Sequence, residues 1–109
     1  MIELPEKYQK EMKDLLQDEY DAYEASFMQP SWHGLRVNTA KITVSDFLEQ
    51  FPYRLEPVPW TENGFYYREE DPVSKHPYYY AGLYYIQEPS AMLPAASLAI
   101  EPYDRVLDV

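Results

Sequence analysis

The sequence predicts an α+β fold in which N-terminal helices precede a small, mainly antiparallel sheet. Three observations support this prediction. Apolar residues recur every three or four positions near the N-terminus, short alternating segments follow, and Pro, Gly and Asn separate those segments at close intervals. A chain of 109 residues has room for one small domain, or for one domain and the beginning of a second.

The N-terminal segment has the pattern of an amphipathic helix that begins at Pro5. Its apolar stripe consists of Tyr8, Met12, Leu15, Leu16, Tyr20, Tyr23 and Phe27. Asp18 and Asp21 could cap a second helix, so we expect either one long helix or two helices with a break near Gln17-Asp18. Pro30 ends the segment.

In the next part of the chain, the sequence pattern predicts strands around one helix. Strands are predicted at residues 34–38, 53–56 and 64–68. The helix has one apolar face, formed by Val44, Phe47, Leu48 and Phe51. Thr43 or Ser45 can cap this helix, and Asn63-Gly64 predicts a tight turn into the third strand.

Short elements are predicted in the apolar part that follows. Residues 76–82 form a turn or helical piece that ends at Gly82, and residues 83–86 form a strand buried on both faces. Residues 89–99 are rich in alanine and predict a closely packed helix, which Pro94 should kink or restart.

The composition changes near Tyr78, with a charged part upstream and a nearly uncharged part downstream. We therefore predict an N-terminal module at residues 1–81 and the opening of a second domain at residues 82–109. Residues 105–109 predict a strand of the buried type, whose partners are expected to lie beyond the end of the chain.

Charge and composition exclude several classes of function. Nineteen acidic and nine basic residues give a net charge of −10, which repels a phosphate backbone at long range and is typical of a solvated acidic surface. The chain has no cysteine, so these residues can form no disulfide, thiolate metal site or cysteine nucleophile. His33 and His76 lie far apart without carboxylates at ligand spacing, so we predict no metal site. No signal or membrane-spanning segment is recognisable, which predicts a cytoplasmic protein with no membrane partner.

Polar residues follow the predicted strand at 83–86 and lead directly into a helix. Gln87, Glu88 and Ser90 stand at this junction, where polar side chains often face a ligand. The alternative is that Gln87 and Ser90 cap the helix and bind loose backbone donors.

Arg36 and Asn38 lie on the polar side of the strand at 34–38. A guanidinium beside an amide suits phosphate groups or base edges, whereas a salt bridge to the acidic surface is the alternative. The tyrosines at 66, 67, 78–80, 84 and 85 could stack unpaired bases, but for most of them we predict a place in the core.

Four segments of the sequence resemble the Sun family of RNA cytosine-5 methyltransferases, particularly its RsmF-like ribosomal RNA branch. They are Leu35-Arg36-Val37-Asn38-Thr39 with Lys41-Ile42 and Asp46-Phe47-Leu48, Pro57-Val58-Pro59-Trp60 with Gly64-Phe65, the long segment from Gly82 to Pro94, and Asp104-Arg105-Val106-Leu107-Asp108-Val109. The segment Gly82-Leu83-Tyr84-Tyr85-Ile86-Gln87-Glu88-Pro89-Ser90-Ala91-Met92-Leu93-Pro94 is the most specific of the four.

The resemblance implies a longer enzyme that transfers a methyl group from S-adenosylmethionine to cytosine in RNA, expected to be ribosomal RNA. In that family a cysteine thiolate adds to C6 of the base, and residues 105–109 would be the first strand of a Rossmann-like catalytic domain. This chain would then be an N-terminal portion cut within that strand. We predict that it contains no catalytic residue, binds no cofactor and transfers no methyl group by itself.

The resemblance also assigns roles to residues. Asp108 matches the acidic residue that opens the cofactor motif, Gln87, Glu88 and Ser90 match the junction beside the catalytic pocket, and Arg36 and Asn38 fall in an RNA-contacting module. The acidic balance implies that a more basic remainder makes most phosphate contacts. Two alternatives are a stand-alone, non-catalytic RNA-interaction domain and an acidic protein-interaction module.

Overall fold

The computed structural model describes residues 3–109, which form two compact units. One unit ends at Ser31 and the other begins at Trp32. The first consists of helices, and the second contains a four-stranded antiparallel sheet with short helices. The predicted α+β class, with N-terminal helices and a small antiparallel sheet, is confirmed.

The first unit contains two helices rather than one. Its elements are α1 (Glu6–Leu16), a 3-10 turn (Gln17–Glu19) and α2 (Tyr20–Ser26). Gln17 has a φ of 49°, which ends α1 and decides between the two predicted alternatives in favour of two helices with a break. The predicted capping by Asp18 or Asp21 is wrong. The Tyr20 N–H instead donates to the Gln17 carbonyl, so the 3-10 turn leads into α2 without a side-chain cap.

The second unit is built around a sheet with the strand order β2-β3-β1-β4. The strands are β1 (His33–Val37), β2 (Glu56–Pro57), β3 (Gly64–Tyr67) and β4 (Tyr84–Ile86). The helices are α3 (Val44–Gln50), α4 (Pro77–Tyr80) and α5 (Leu93–Ala96), with 3-10 turns at Val73–Lys75 and Pro89–Met92. Because β1 is central, its residues have neighbours on two strands, and Arg36 lies opposite both Gly64 and Tyr85.

The core lies between α3 and one face of the sheet, which we call the inner face. Its buried residues are Leu35, Val37, Phe47, Phe51, Phe65, Val73 and Tyr84. Thr43 caps α3 by accepting a 3.2 Å hydrogen bond from the Asp46 N–H, as the sequence allowed. Phe47 and Phe51 are buried as predicted, whereas Leu48 on the same predicted apolar face is 44% exposed.

Two predicted strands are shorter or absent. The strand predicted at 53–56 is reduced to Glu56–Pro57, which pair with Tyr66 and Phe65 of β3. The strand predicted at 105–109 is not formed. Those residues are exposed and have no regular secondary structure, since no strand of the described residues lies beside them to supply hydrogen bonds.

The segment after residue 82 also differs from its prediction. β4 is buried on one face only, because Tyr84 enters the core whereas Tyr85 is 62% exposed. The predicted helix at 89–99 is a 3-10 turn followed by α5, so Pro94 accompanies a restart as expected. Of this helical segment only Pro89 and Met92 are buried.

Contacts within the described residues divide the chain between Ser31 and Trp32, and β4 belongs to the same sheet as β1. The boundary predicted between residues 81 and 82 concerns the organisation of a longer protein and stays a prediction. Among residues 3–109, no helix combines the length and apolar character needed to cross a bilayer.

Candidate functional site

The face of the sheet opposite the core, which we call the outer face, is shaped by two glycines. A Cβ on Gly34 would lie 2.7 Å from the Gln87 carbonyl oxygen and 3.0 Å from Pro89 Cγ, and a Cβ on Gly64 would meet Met92 Sδ. The 3-10 turn at Pro89–Met92 can therefore lie directly on β1 and β3. Because Gly34 and Gly64 have no side chain, the junction at residues 87–90 can pack against the sheet.

Glu88 caps this 3-10 turn. Its carboxylate accepts a 3.1 Å hydrogen bond from the Ala91 N–H and a short one from the Ser90 hydroxyl. The hydrogen bonds from the Ser90 side chain and backbone hold the pKa of the Glu88 carboxyl below its ordinary value. The alternative prediction, in which Gln87 and Ser90 cap the helix, is therefore wrong in its residues. Glu88 forms the cap, and Ser90 supports it with a hydrogen bond.

Gln87 connects the junction to β1. Its N–H donates to the Gly34 carbonyl at 3.0 Å, and its side-chain amide donates to the Ala91 carbonyl at 3.5 Å. The side-chain oxygen of Gln87 is buried and has no hydrogen-bond partner among residues 3–109. Of the three predicted junction residues, Gln87 alone has an unused buried acceptor.

Beside the junction, the outer face carries a groove of about 480 Å³. It is lined by Arg36, Val37, Asn38, Thr39, Asn63, Gly82, Tyr84 and Tyr85. No carboxylate is among these residues, and Arg36 forms no ion pair within the described part of the chain. The alternative that Arg36 is held in a salt bridge is therefore not what the structure shows.

Asn38 shapes this groove with both ends of its side-chain amide. Its nitrogen donates to the Gly82 carbonyl at 3.1 Å, and its oxygen accepts from the Ala40 N–H at 3.2 Å. Gly82 has a φ of +72°, which glycine adopts readily, and Lys41 Nζ donates to the adjacent Ala81 carbonyl at 2.8 Å. These bonds hold the loop before β4 against the turn after β1.

Arg36 brings the groove and the junction together. It also lines a smaller cavity of about 160 Å³, whose other residues are Thr61, Asn63, Met92, Ala95 and Ala96. Asp108, in contrast, lies in the exposed segment at 105–109 and lines none of the described cavities. A single exposed carboxylate does not by itself make a cofactor site, so the role of Asp108 stays a prediction.

Sequence reasoning missed Asn63 and Trp60 as parts of this region, and it named Tyr85 only as one of seven tyrosines that could stack bases. Asn63 was predicted to form a turn, but its amide donates to the Val37 carbonyl at 2.9 Å across the sheet. Trp60 donates its indole N–H to the Pro89 carbonyl at 2.8 Å and so holds the junction. The sequence did not distinguish Tyr85 from Tyr84, because only the fold decides which of the two side chains faces the core.

The sequence profile described as "N-terminal domain of 16S rRNA methyltransferase RsmF" matches residues 4–89. Proteins named ribosomal RNA small subunit methyltransferase F are similar to the chain. The protein from Enterobacter sp. (strain 638) is 40% identical over 96% of this chain and 24% of its own length. The one from Serratia proteamaculans is 42% identical over 82% of this chain and 20% of its own length.

A solved structure is similar as well. The crystal structure of a methyltransferase homolog protein from Pyrococcus horikoshii has a TM-score of 0.76 and 28% identity, covering 91% of this chain and 34% of that one. The chain spans about a quarter of the length of the first curated relatives it matches. On these matches, the chain belongs to the family of the N-terminal domain of 16S ribosomal RNA methyltransferase RsmF.

Proposed function

We propose that this chain is the N-terminal, RNA-positioning part of a cytoplasmic ribosomal RNA methyltransferase that uses S-adenosylmethionine and modifies cytosine at C5. The family match and the names of the relatives support the methyltransferase and its ribosomal RNA substrate. The reaction and the cofactor follow from the resemblance of the four sequence segments to the Sun family. In this proposal residues 1–81 form the RNA-positioning module and residues 82–109 lead into the catalytic domain.

The observation that carries the RNA-positioning function is the composition of the groove around Arg36. A chain with a net charge of −10 repels phosphate as a whole, so an RNA contact requires a place without carboxylates. The groove is such a place, with an arginine that no carboxylate of the described residues neutralises. A planar guanidinium binds phosphate oxygens in pairs, and Asn38 supports the wall beside it.

The remaining predicted site residues take separate roles in this proposal. Gln87, Glu88 and Ser90 border the catalytic pocket, where the unused oxygen of Gln87 is available as an acceptor. When bound, S-adenosylmethionine supplies the methyl group, and Asp108 is the one residue here that the resemblance directs toward it. The chain has no cysteine for thiolate addition, so we expect no methyl transfer by these residues alone.

Substitution of Arg36 tests the proposed RNA contact. Loss of one phosphate contact should weaken binding of ribosomal RNA fragments by about tenfold at low salt and reduce the slope of log affinity against log salt by about one. Arg36→Ala should show both effects, and Arg36→Lys should keep most of the salt dependence because the charge remains. Fluorescence anisotropy over a salt series measures both quantities.

Arg54→Ala is the matched control, because Arg54 is paired with Glu56 at 3.2 Å and lies outside the groove. It should bind RNA as the parent chain does. If Arg36→Ala leaves both the affinity and the salt slope unchanged, the groove is not an RNA-contacting surface and this part of the proposal fails.

A second candidate function, binding of a basic protein segment, is supported by a cavity in the helical unit. This cavity of about 430 Å³ is lined by both acidic and apolar side chains, including Asp21, Glu24, Phe27 and Met28. Such a lining suits a basic amphipathic peptide. A chain that binds such a peptide at high salt but binds no RNA at low salt would favour this function over the first.

A further inference from the structure

We infer that the groove around Arg36 binds an unpaired strand of RNA, with a base stacked on the Tyr85 ring and a neighbouring phosphate bound by Arg36. This inference rests on the proposed RNA-positioning function and specifies its ligand. Duplex RNA keeps its bases stacked inside the helix, so a protein ring can reach them only where the strand is unpaired.

The pairing of β1 with β4 places the two residues side by side. Arg36 and Tyr85 lie directly opposite each other in the register, and side chains at such positions extend from the same face of the sheet. Their Cβ atoms are then about 5 Å apart, which is within the span of one nucleotide from base to phosphate. The strand pairing alone therefore places the aromatic ring of Tyr85 beside the cationic side chain of Arg36.

The Tyr85 ring has the surroundings expected of a stacking surface. It is 62% exposed, its hydroxyl has no hydrogen-bond partner among residues 3–109, and no aromatic ring of that part of the chain packs against it. Its neighbour Tyr84, in contrast, is buried and donates its hydroxyl hydrogen to the Val73 carbonyl at 2.6 Å. Tyr85 thus offers a large apolar surface that neither packing nor hydrogen bonding explains.

The groove continues beyond Arg36 toward Trp60. The smaller cavity that Arg36 and Asn63 also line shares Ala96 with a third cavity of about 450 Å³, which Trp60 and Glu62 line. A path with an aromatic side chain at each end and an arginine between them matches the alternation of bases and phosphates along a single strand. Glu62 places a carboxylate at the Trp60 end, so the Tyr85 end is the primary site.

The test compares single-stranded and duplex RNA as ligands of the 109-residue chain. The probes are a fluorescein-labelled ten-nucleotide RNA and the same strand annealed to its complement. The parent chain should bind the single strand at least tenfold more tightly than the duplex. Tyr85→Leu should lose about tenfold in affinity for the single strand, because a stacked base contributes about that much, whereas Tyr85→Phe should stay within twofold.

Tyr80→Leu is the matched control, since Tyr80 is 76% exposed and lies on α4 outside the groove. It should bind like the parent chain. Tyr85→Thr is a second variant that favours the strand conformation and removes the ring, so it should match Tyr85→Leu if stacking is what is lost. Circular dichroism of each variant verifies that the sheet is retained.

The outcomes separate this inference from the function on which it rests. If Arg36→Ala weakens binding while Tyr85→Leu and Tyr85→Thr do not, RNA binds at the groove without stacking and the inference is overturned. If the duplex binds as tightly as the single strand, the inference is again overturned and the proposed function survives. If neither Arg36 nor Tyr85 affects RNA binding, the proposed function fails with it.

Discussion

The inner face of the sheet is filled with apolar side chains, whereas the outer face is open around Arg36. On β1, Leu35 and Val37 are buried in the core, and the alternate residues Gly34 and Arg36 belong to the outer face. Successive side chains of a strand point to opposite faces, so one short segment supplies both packing and a candidate contact. Substitutions on the inner face should therefore change stability, and those around Arg36 should change binding.

The largest expected effect is on the inner face, at Phe47. Its side chain is fully buried and stacks on Phe51 with the ring centroids 4.9 Å apart. Phe47→Ala should lower the free energy of unfolding by about 3–5 kcal/mol, measured by urea denaturation, because it leaves a cavity in the core. Leu48→Ala on the same helix, where the side chain is 44% exposed, should cost far less. Equal losses for both variants would contradict the assignment of the core.

A smaller effect is expected where the outer face is closely packed, at Gly34. A methyl group there would lie 2.7 Å from the Gln87 carbonyl oxygen, which is backbone and can move only with the junction. Gly34→Ala should therefore lower the free energy of unfolding by about 1–3 kcal/mol. Hydrogen exchange should accelerate at the Gln87 N–H, which donates to Gly34, and not at the Val58 N–H, which donates to Gly64. Unchanged exchange at Gln87 would show that the junction does not depend on this glycine.

The hydroxyl of Tyr84 should contribute less to the free energy of unfolding than the side chain of Phe47. Tyr84→Phe removes the 2.6 Å hydrogen bond to the buried Val73 carbonyl and should cost about 1–2 kcal/mol of unfolding free energy. Tyr80→Phe is the control, because the Tyr80 side chain is exposed. Comparable urea midpoints for Tyr84→Phe and the parent chain would mean that water replaces the lost hydroxyl.

The same tyrosine predicts a loss of stability in alkaline solution. Burial raises the pKa of Tyr84 from 10.0 to about 12, so the folded state disfavours the phenolate. The resulting stability is complete below pH 10.0 and is lost as the pH rises toward about 12. Tyr84→Phe should flatten this loss only in part, because burial also raises the pKa of Tyr67. A pH series of urea midpoints measures both slopes.

The smallest effect on stability is expected around the groove. Arg36 forms no ion pair among residues 3–109 and Tyr85 is largely exposed, so Arg36→Ala and Tyr85→Thr should each change the free energy of unfolding by less than about 0.5 kcal/mol. These variants should retain thermal midpoints close to that of the parent chain while losing RNA affinity. A large loss of stability would instead assign both residues to packing.

Local patterns were sufficient for much of the fold. The helical period before Phe27, the cap at Thr43 and the alternation around Leu35 are encoded within a few residues, so the corresponding elements were predicted correctly. The strand at 105–109 was predicted from its apolar composition, but a strand also needs a partner, and none of the described strands lies beside it. Because the predicted partners lie beyond residue 109, this strand stays a prediction about a longer protein.

The sequence by itself determined the fold class, the family resemblance and Arg36 as a candidate contact, because these depend on residue type and local spacing. It left open whether the N-terminal helix breaks near Gln17. Only the tertiary structure decided that Glu88 forms the cap, that Asn38 shapes the wall of the groove, and that Tyr85 lies beside Arg36. These relations join residues that are distant in the chain, and strand pairing with close packing on glycine brings them together. The groove around Arg36 is free of carboxylates only because the fold brings together residues that are not acidic, although the chain has nineteen acidic residues.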